Sequence, residues 1–168
     1  METQTSISLW AEQTFGDPGS NLRVATRAGE EMFELFREIS AGINAKKAIV
    51  EAADVAITLY RLCERLKVRI DTSQICREDP DNPIVLAAKC NGRLAPVIVM
   101  LSYDDYDESV DYMLQQLYYF LEKFCISLGG NLQQAIDDKM EINRRRRWQT
   151  NGQGSYHIKG DGEGADRL

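Results

Sequence analysis

Residues 29–39, GEEMFELFREI, and residues 50–62, VEAADVAITLYRL, decide how this chain is read. Each carries a Glu-x-x-acid pair, Glu31 with Glu34 and Glu51 with Asp54, inside a stretch whose apolar residues recur at helical spacing. At ~100° of rotation per residue, Ala28, Met32, Leu35, Phe36 and Ile39 form one stripe, with Glu31 on its edge and Glu34 one step further round. Ala48, Ala52, Val55, Leu59, Leu62 and Leu66 form the second stripe, bordered by Glu51, with Asp54 just beyond. The break at Gly42 to Asn44 joins the two helices, and antiparallel packing would bring all four carboxylates to one height. Four anions that close repel strongly unless a cation neutralises them, and oxygen-only ligation suits Mg²⁺, with Mn²⁺ the alternative. The competing reading is a solvated edge, because Glu is a good helix former and commonly flanks an apolar stripe.

Outward from this hairpin the chain reads as further helices. Thr5 to Phe15 is expected to be helical, ended by the turn-forming GDPGSN at 16–21. Ser20 or Asn21 is placed to cap the first acid-bearing helix, which runs to Ser40, and Asn44 the second, which runs to about Val68. Arg69 to Pro83, with Pro80, Pro83, Asp79, Asp81 and Asn82, reads as a loop. The run 84–101, IVLAAKCNGRLAPVIVML, is expected to be a helix kinked near Gly92 and Pro96, since no partner strand for its β-branched residues is evident. Val110 to Leu128 is a broadly apolar helix stopped by Gly129 and Gly130, and Asn131 opens a last helix through 132–148. The expected fold is therefore all-α, a bundle of five to six helices around the central antiparallel hairpin. Residues 1–150 form one domain and 151–168 a Gly-rich flexible tail, with 159–168 disordered.

Composition narrows the function classes. The chain has 168 residues and a net charge of −6, which disfavours a general nucleic-acid role built on phosphate neutralisation. Cys63, Cys76, Cys90 and Cys125 lack metal-ligand spacing and read as reduced thiols of a cytoplasmic protein. METQTSISLW at the start has no signal-peptide pattern, and no membrane insertion is expected. A second constellation lies in KMEINRRRRW, 139–148. Lys139, Asn143 and Arg146 or Arg147, three or four residues apart, put an ammonium, an amide and a guanidinium on one helix face, a grip suited to polyphosphate. Basic residues ending a helix also complement its dipole without any ligand. Trp10, Phe15 and Trp148 are candidate stacking planes for a base, or core aromatics. His157 and Tyr156 could join them only if the tail folds over the site. No glycine-rich phosphate loop, nucleophile elbow or Cys/His zinc spacing is present, so nucleotide chemistry here would be metal-driven.

The order E-x-x-E at Glu31 and Glu34, E-x-x-D at Glu51 and Asp54, then K-x-x-x-N at Lys139 and Asn143 followed by basic residues, resembles the all-α nucleoside triphosphate pyrophosphohydrolases. LWAEQTFG at 9–16 and NRRRRWQTNGQGSYHIK at 143–159 resemble their MazG-like branch, related to dimeric dUTPase and dCTP pyrophosphatase. The stretch 69–105 is longer than in a minimal member. The resemblance implies Mg²⁺ held by Glu31, Glu34, Glu51 and Asp54, with hydrolysis of a (deoxy)nucleoside triphosphate to monophosphate and pyrophosphate for nucleotide-pool house-cleaning. It further implies phosphate neutralisation by Lys139 and Arg146, a phosphate or sugar contact from Asn143, and a homodimer or homotetramer with the site near a subunit interface. The alternative from another class is a non-catalytic helical interaction module with a solvated acidic face. A di-iron bundle is disfavoured because its Glu-x-x-His pairs are missing; phosphoribosyl-ATP pyrophosphohydrolase is a rival within the same chemistry.

Overall fold

The computed structural model describes residues 1–75, 82–150 and 155–157. Six α-helices form the body: α1 Gln4–Phe15, α2 Asn21–Ser40, α3 Ala45–Leu66, α4 Pro83–Ser102, α5 Glu108–Ser127 and α6 Leu132–Arg145. The all-α bundle expected from periodicity is the architecture observed. Its helix starts follow local side-chain chemistry. Thr3, Ser20, Asn44 and Asn131 each accept a backbone N–H of the first turn through the side chain, satisfying donors that have no partner within the helix. Gly16 leaves α1 at φ +73° and Gly129 follows α5 at φ +77°, a backbone region that other residues enter at a cost.

Hairpin packing of α2 on α3 and of α4 on α5 builds the bundle, with α4 also lying on α2 and both α1 and α6 on α3. Helix α3 is thus central, and Ala52, Val55, Leu59 and Leu62 are fully buried. Leu114, Leu117, Leu121 and Phe124 of α5 and Ile136 and Met140 of α6 complete the core. Alanines at 48, 52, 53 and 56, all without solvent exposure, let neighbouring helices approach α3 closely. Between α3 and α4 lies a 3₁₀ turn at Thr72–Gln74, so the segment read as loop contains one ordered turn, and Pro83 belongs to the first turn of α4. The helix then continues through Pro96.

The C-terminal end differs from the reading above. Helix α6 stops at Arg145, and Trp148–Thr150 (β1) pairs antiparallel with Ser155–His157 (β2), placing Trp148 opposite His157. Consecutive arginines disfavour continuation through mutual repulsion, and Trp148 gains a hydrogen bond and ring contacts by leaving the helical path. The domain boundary drawn after residue 150 therefore falls within a hairpin. The disorder expected for 159–168 lies outside the described residues.

Candidate metal centre

The site is built by the α2–α3 hairpin. Glu31 and Asp54 lie equally far in sequence from the Ala41–Asn44 turn, and so do Glu34 and Glu51, so antiparallel packing sets them level in pairs. One carboxylate oxygen from each of Glu31, Glu51 and Asp54 lies within 4.8 Å of the others. Glu31 is buried at 8 % exposure, deeper than the stripe edge predicted, on the side of α2 that packs against α3. Glu51 and Asp54 are half-buried. Glu34 stands on the rim, 42 % exposed at the side chain and 3.9 Å from the Arg37 guanidinium, within electrostatic reach of Glu31 and Glu51.

Burial and mutual repulsion leave a clear electrostatic signature. Desolvation, followed by the charge of Asp54, pushes Glu31 from its ordinary 4.5 to about 7. Desolvation and then Asp54 also raise Glu51. Asp54 is raised by burial, opposed by the Lys139 ammonium, whose Nζ donates to Asp54 Oδ2 at 2.5 Å. Three oxygens that close, with desolvation favouring protonation, form a hard-donor set short of positive charge, which fits a divalent cation preferring oxygen ligands.

Two cations partly offset the cluster. Lys139, on α6, pairs with Asp54, and Arg27, one turn before Glu31 on α2, pairs with both Glu30 and Glu31. Arg27 was missed by the sequence reading, although i to i+3 and i to i+4 spacing to those acids is its signal. Glu30 is exposed and engaged by Arg27 at 2.6 Å. Asn143 is buried rather than free. Its Oδ1 accepts from Arg146 Nη1 at 3.3 Å, and its carbonyl accepts the Trp148 indole N–H at 2.9 Å.

The arginine run divides into different tasks. Arg144 makes a bidentate pair with Glu2 at 2.9 Å, clamping the N-terminus to α6. Arg145 pairs with Glu141 on its own helix. Arg146, just past the helix end, leans on Asn143 and bears electrostatically on Asp54, whereas Arg147 is exposed and no contact among the described residues ties it to the carboxylates. Of the two arginines left open above, Arg146 is the one at the site.

Although Trp10 and Trp148 lie at opposite ends of the chain, the fold brings them together. Phe15 packs edge-on against Trp10 at 5.2 Å and against Trp148 at 5.0 Å, and the two indoles are 6.1 Å apart. Arg61 lies over Phe15 at 5.9 Å and donates to the Gly16 carbonyl, while its Nε is buried without a hydrogen-bond partner among the described residues. Arg61 follows Asp54 by two turns on α3, about 10 Å along the axis, so the guanidinium that lies over Phe15 shares a helix face with Asp54. That i to i+7 relation was legible in the sequence; the aromatic partner was not.

Searched against models of known protein families, curated proteins and solved structures, the chain has no match.

Proposed function

We propose that this chain is a divalent-metal-dependent nucleoside triphosphate pyrophosphohydrolase, acting on (deoxy)nucleoside triphosphates to give a monophosphate and pyrophosphate. The observation that carries the proposal is the convergence of Glu31, Glu51 and Asp54 within 4.8 Å beside Lys139. When bound there, Mg²⁺ or Mn²⁺ would supply Lewis-acid polarisation of phosphate oxygens and a water of lowered pKa. Glu31, Glu51 and Asp54 would hold the ion from both helices of the hairpin, and Glu34 on the rim would complete the set. Lys139 serves as an internal counter-ion that can turn to a phosphate oxygen once Asp54 takes up the metal. Arg146 adds charge on the same side, and Asn143 fixes Arg146 and Trp148 through its side chain and carbonyl. Trp10, Phe15 and Trp148 offer an aromatic surface beside Arg61, which stands two helical turns from Asp54 on α3. Nucleotide-pool house-cleaning in the cytoplasm, by a homodimer or homotetramer, is the corresponding role.

The test is a panel of canonical and damaged nucleoside triphosphates assayed for monophosphate and pyrophosphate with Mg²⁺ and with Mn²⁺. Release from several nucleotides, abolished by chelator, is expected. One observation favours the rival reading of a non-catalytic helical module: Arg27 and Lys139 already pair with two of the three acids. Under that reading the melting temperature is indifferent to divalent ions, whereas a native-state metal site raises it with concentration. No monophosphate from any nucleotide, with no thermal shift, would leave the rival standing.

A further inference from the structure

Helix α4 turns an uncharged stripe to solvent. Ile84, Ala88, Gly92, Ala95, Val99 and Tyr103 follow one another at helical spacing along it and are all exposed, Ile84 by 52 %, Val99 by 55 % and Tyr103 by 79 %. Lys89 and Arg93, the only charged residues of the helix, turn away toward the Phe120 ring of α5, and Arg93 also donates to Gln116. On α2, Gly29 lies against Ile98 of α4, and Phe33, one turn on along the same face, is 69 % exposed and extends the stripe sideways. Over its most apolar 18 residues the helix has a mean hydropathy of 1.6, yet only a third of that stretch is buried. A chain with 26 acidic and 20 basic residues had ample charge to place there.

Gly92 sharpens the point. A glycine within a helix is destabilising relative to alanine, and a Cβ at this position would meet nothing within 4 Å. Nothing among the described residues occupies the space a side chain would take there, so the position is open to a close approach from outside. Ala88 and Ala95 flank it with the same small cross-section, while larger side chains stand at both ends. Pro96 offers no N–H to the Gly92 carbonyl, so that acceptor is left for a donor outside the helix, and Asn91 is the nearest amide on the stripe.

We propose that this face is where a second copy of the chain docks, with two α4 helices crossing antiparallel about a two-fold axis at Gly92. In that register Val85 meets the partner's Val99 and Ala88 meets the partner's Pro96, so large ends fall on large ends around a thin centre. The profile is self-complementary, as an isologous interface requires. Phe33, Ile84, Val85, Val99 and Tyr103 together present on the order of 600 Å² of apolar surface, approaching the roughly 800 Å² per partner of a standard interface once the small residues are added. This gives a surface to the homo-oligomer of the reading above and rests on it for nothing else.

Sedimentation velocity on the full chain at tens of micromolar reads the result. Twice the 19.0 kDa monomer mass is expected, falling to the monomer in Val99→Glu and in Ala95→Glu with helical circular dichroism unchanged. Val85→Cys combined with Val99→Cys in a Cys76→Ser background should cross-link to a covalent dimer under mild oxidation, and Glu108→Cys in the same background should not. A wild-type monomer, or a dimer that survives both glutamate substitutions, overturns the proposal. So does a monomer that floats with phosphatidylcholine vesicles, which would assign the face to lipid. Dimerisation through α4 without nucleotide hydrolysis leaves this inference intact and removes the hydrolase; hydrolysis by a monomer does the reverse.

Discussion

The α2–α3 hairpin and helix α4 depart in opposite directions from the usual division of residues between core and surface. The hairpin draws carboxylates into partial or full burial, at Glu31, Glu51 and Asp54, while α4 exposes Ile84, Val99 and Tyr103. Each arrangement costs stability, since buried anions lose hydration and exposed apolar surface orders water. The difference teaches where to look for the missing partner. Buried charge calls for a small cation, and exposed apolar surface calls for another apolar surface.

The largest effect should come from breaking the hairpin's charge. Asp54→Asn and Glu51→Gln keep shape while removing metal-binding charge, and a pyrophosphatase-coupled phosphate assay should find turnover lowered by at least about 100-fold with circular dichroism unchanged. Wild-type activity in either variant would take that residue out of the site.

Next in size is the pH dependence of the metal-free protein. The folded-state pKa of Glu31, about 7, lies above its ordinary 4.5, so the folded state binds the proton more tightly than the unfolded chain. Its contribution is full below the ordinary value and is lost as pH rises through about 7. Thermal stability without metal should therefore fall between those limits, and Glu31→Gln should flatten the fall, recovering on the order of 2–3 kcal/mol at pH 8. Saturating Mg²⁺ should oppose the same slope, because the ion takes the deprotonated cluster. An unchanged slope in Glu31→Gln would place the burial penalty elsewhere.

Lys139→Ala should separate two roles. With its ammonium gone from Asp54, Mg²⁺ measured by calorimetry without nucleotide should bind several-fold more tightly, while kcat/KM falls roughly tenfold for want of a phosphate contact. Loss of both metal binding and turnover would mean that Lys139 only holds the fold. Smallest of all, Arg147→Ala should leave kcat/KM within about twofold of wild type, whereas Arg146→Ala lowers it severalfold in the same assay. Equal effects would dissolve the division drawn within the arginine run.

Much of this was legible along the chain. Local rules act over three or four residues, so apolar periodicity, the caps at Ser20, Asn44 and Asn131 and the acid pairs at equal distances from a short turn together yield the bundle and its carboxylate hairpin. Even Pro96 within α4 was readable. What only the tertiary structure decided concerns residues distant in sequence. Asp54 takes Lys139 as its counter-ion across 85 positions, Trp10 and Phe15 meet Trp148, and Arg144 of the basic run is spent on Glu2 while Arg146 reaches the site. The sequence likewise determined that α4 is apolar, but not that Ile84, Val85 and Val99 face outward. Periodicity tells which residues share a face, whereas the packing of α2 and α5 against one side of α4 determines which face is covered and leaves the other to water.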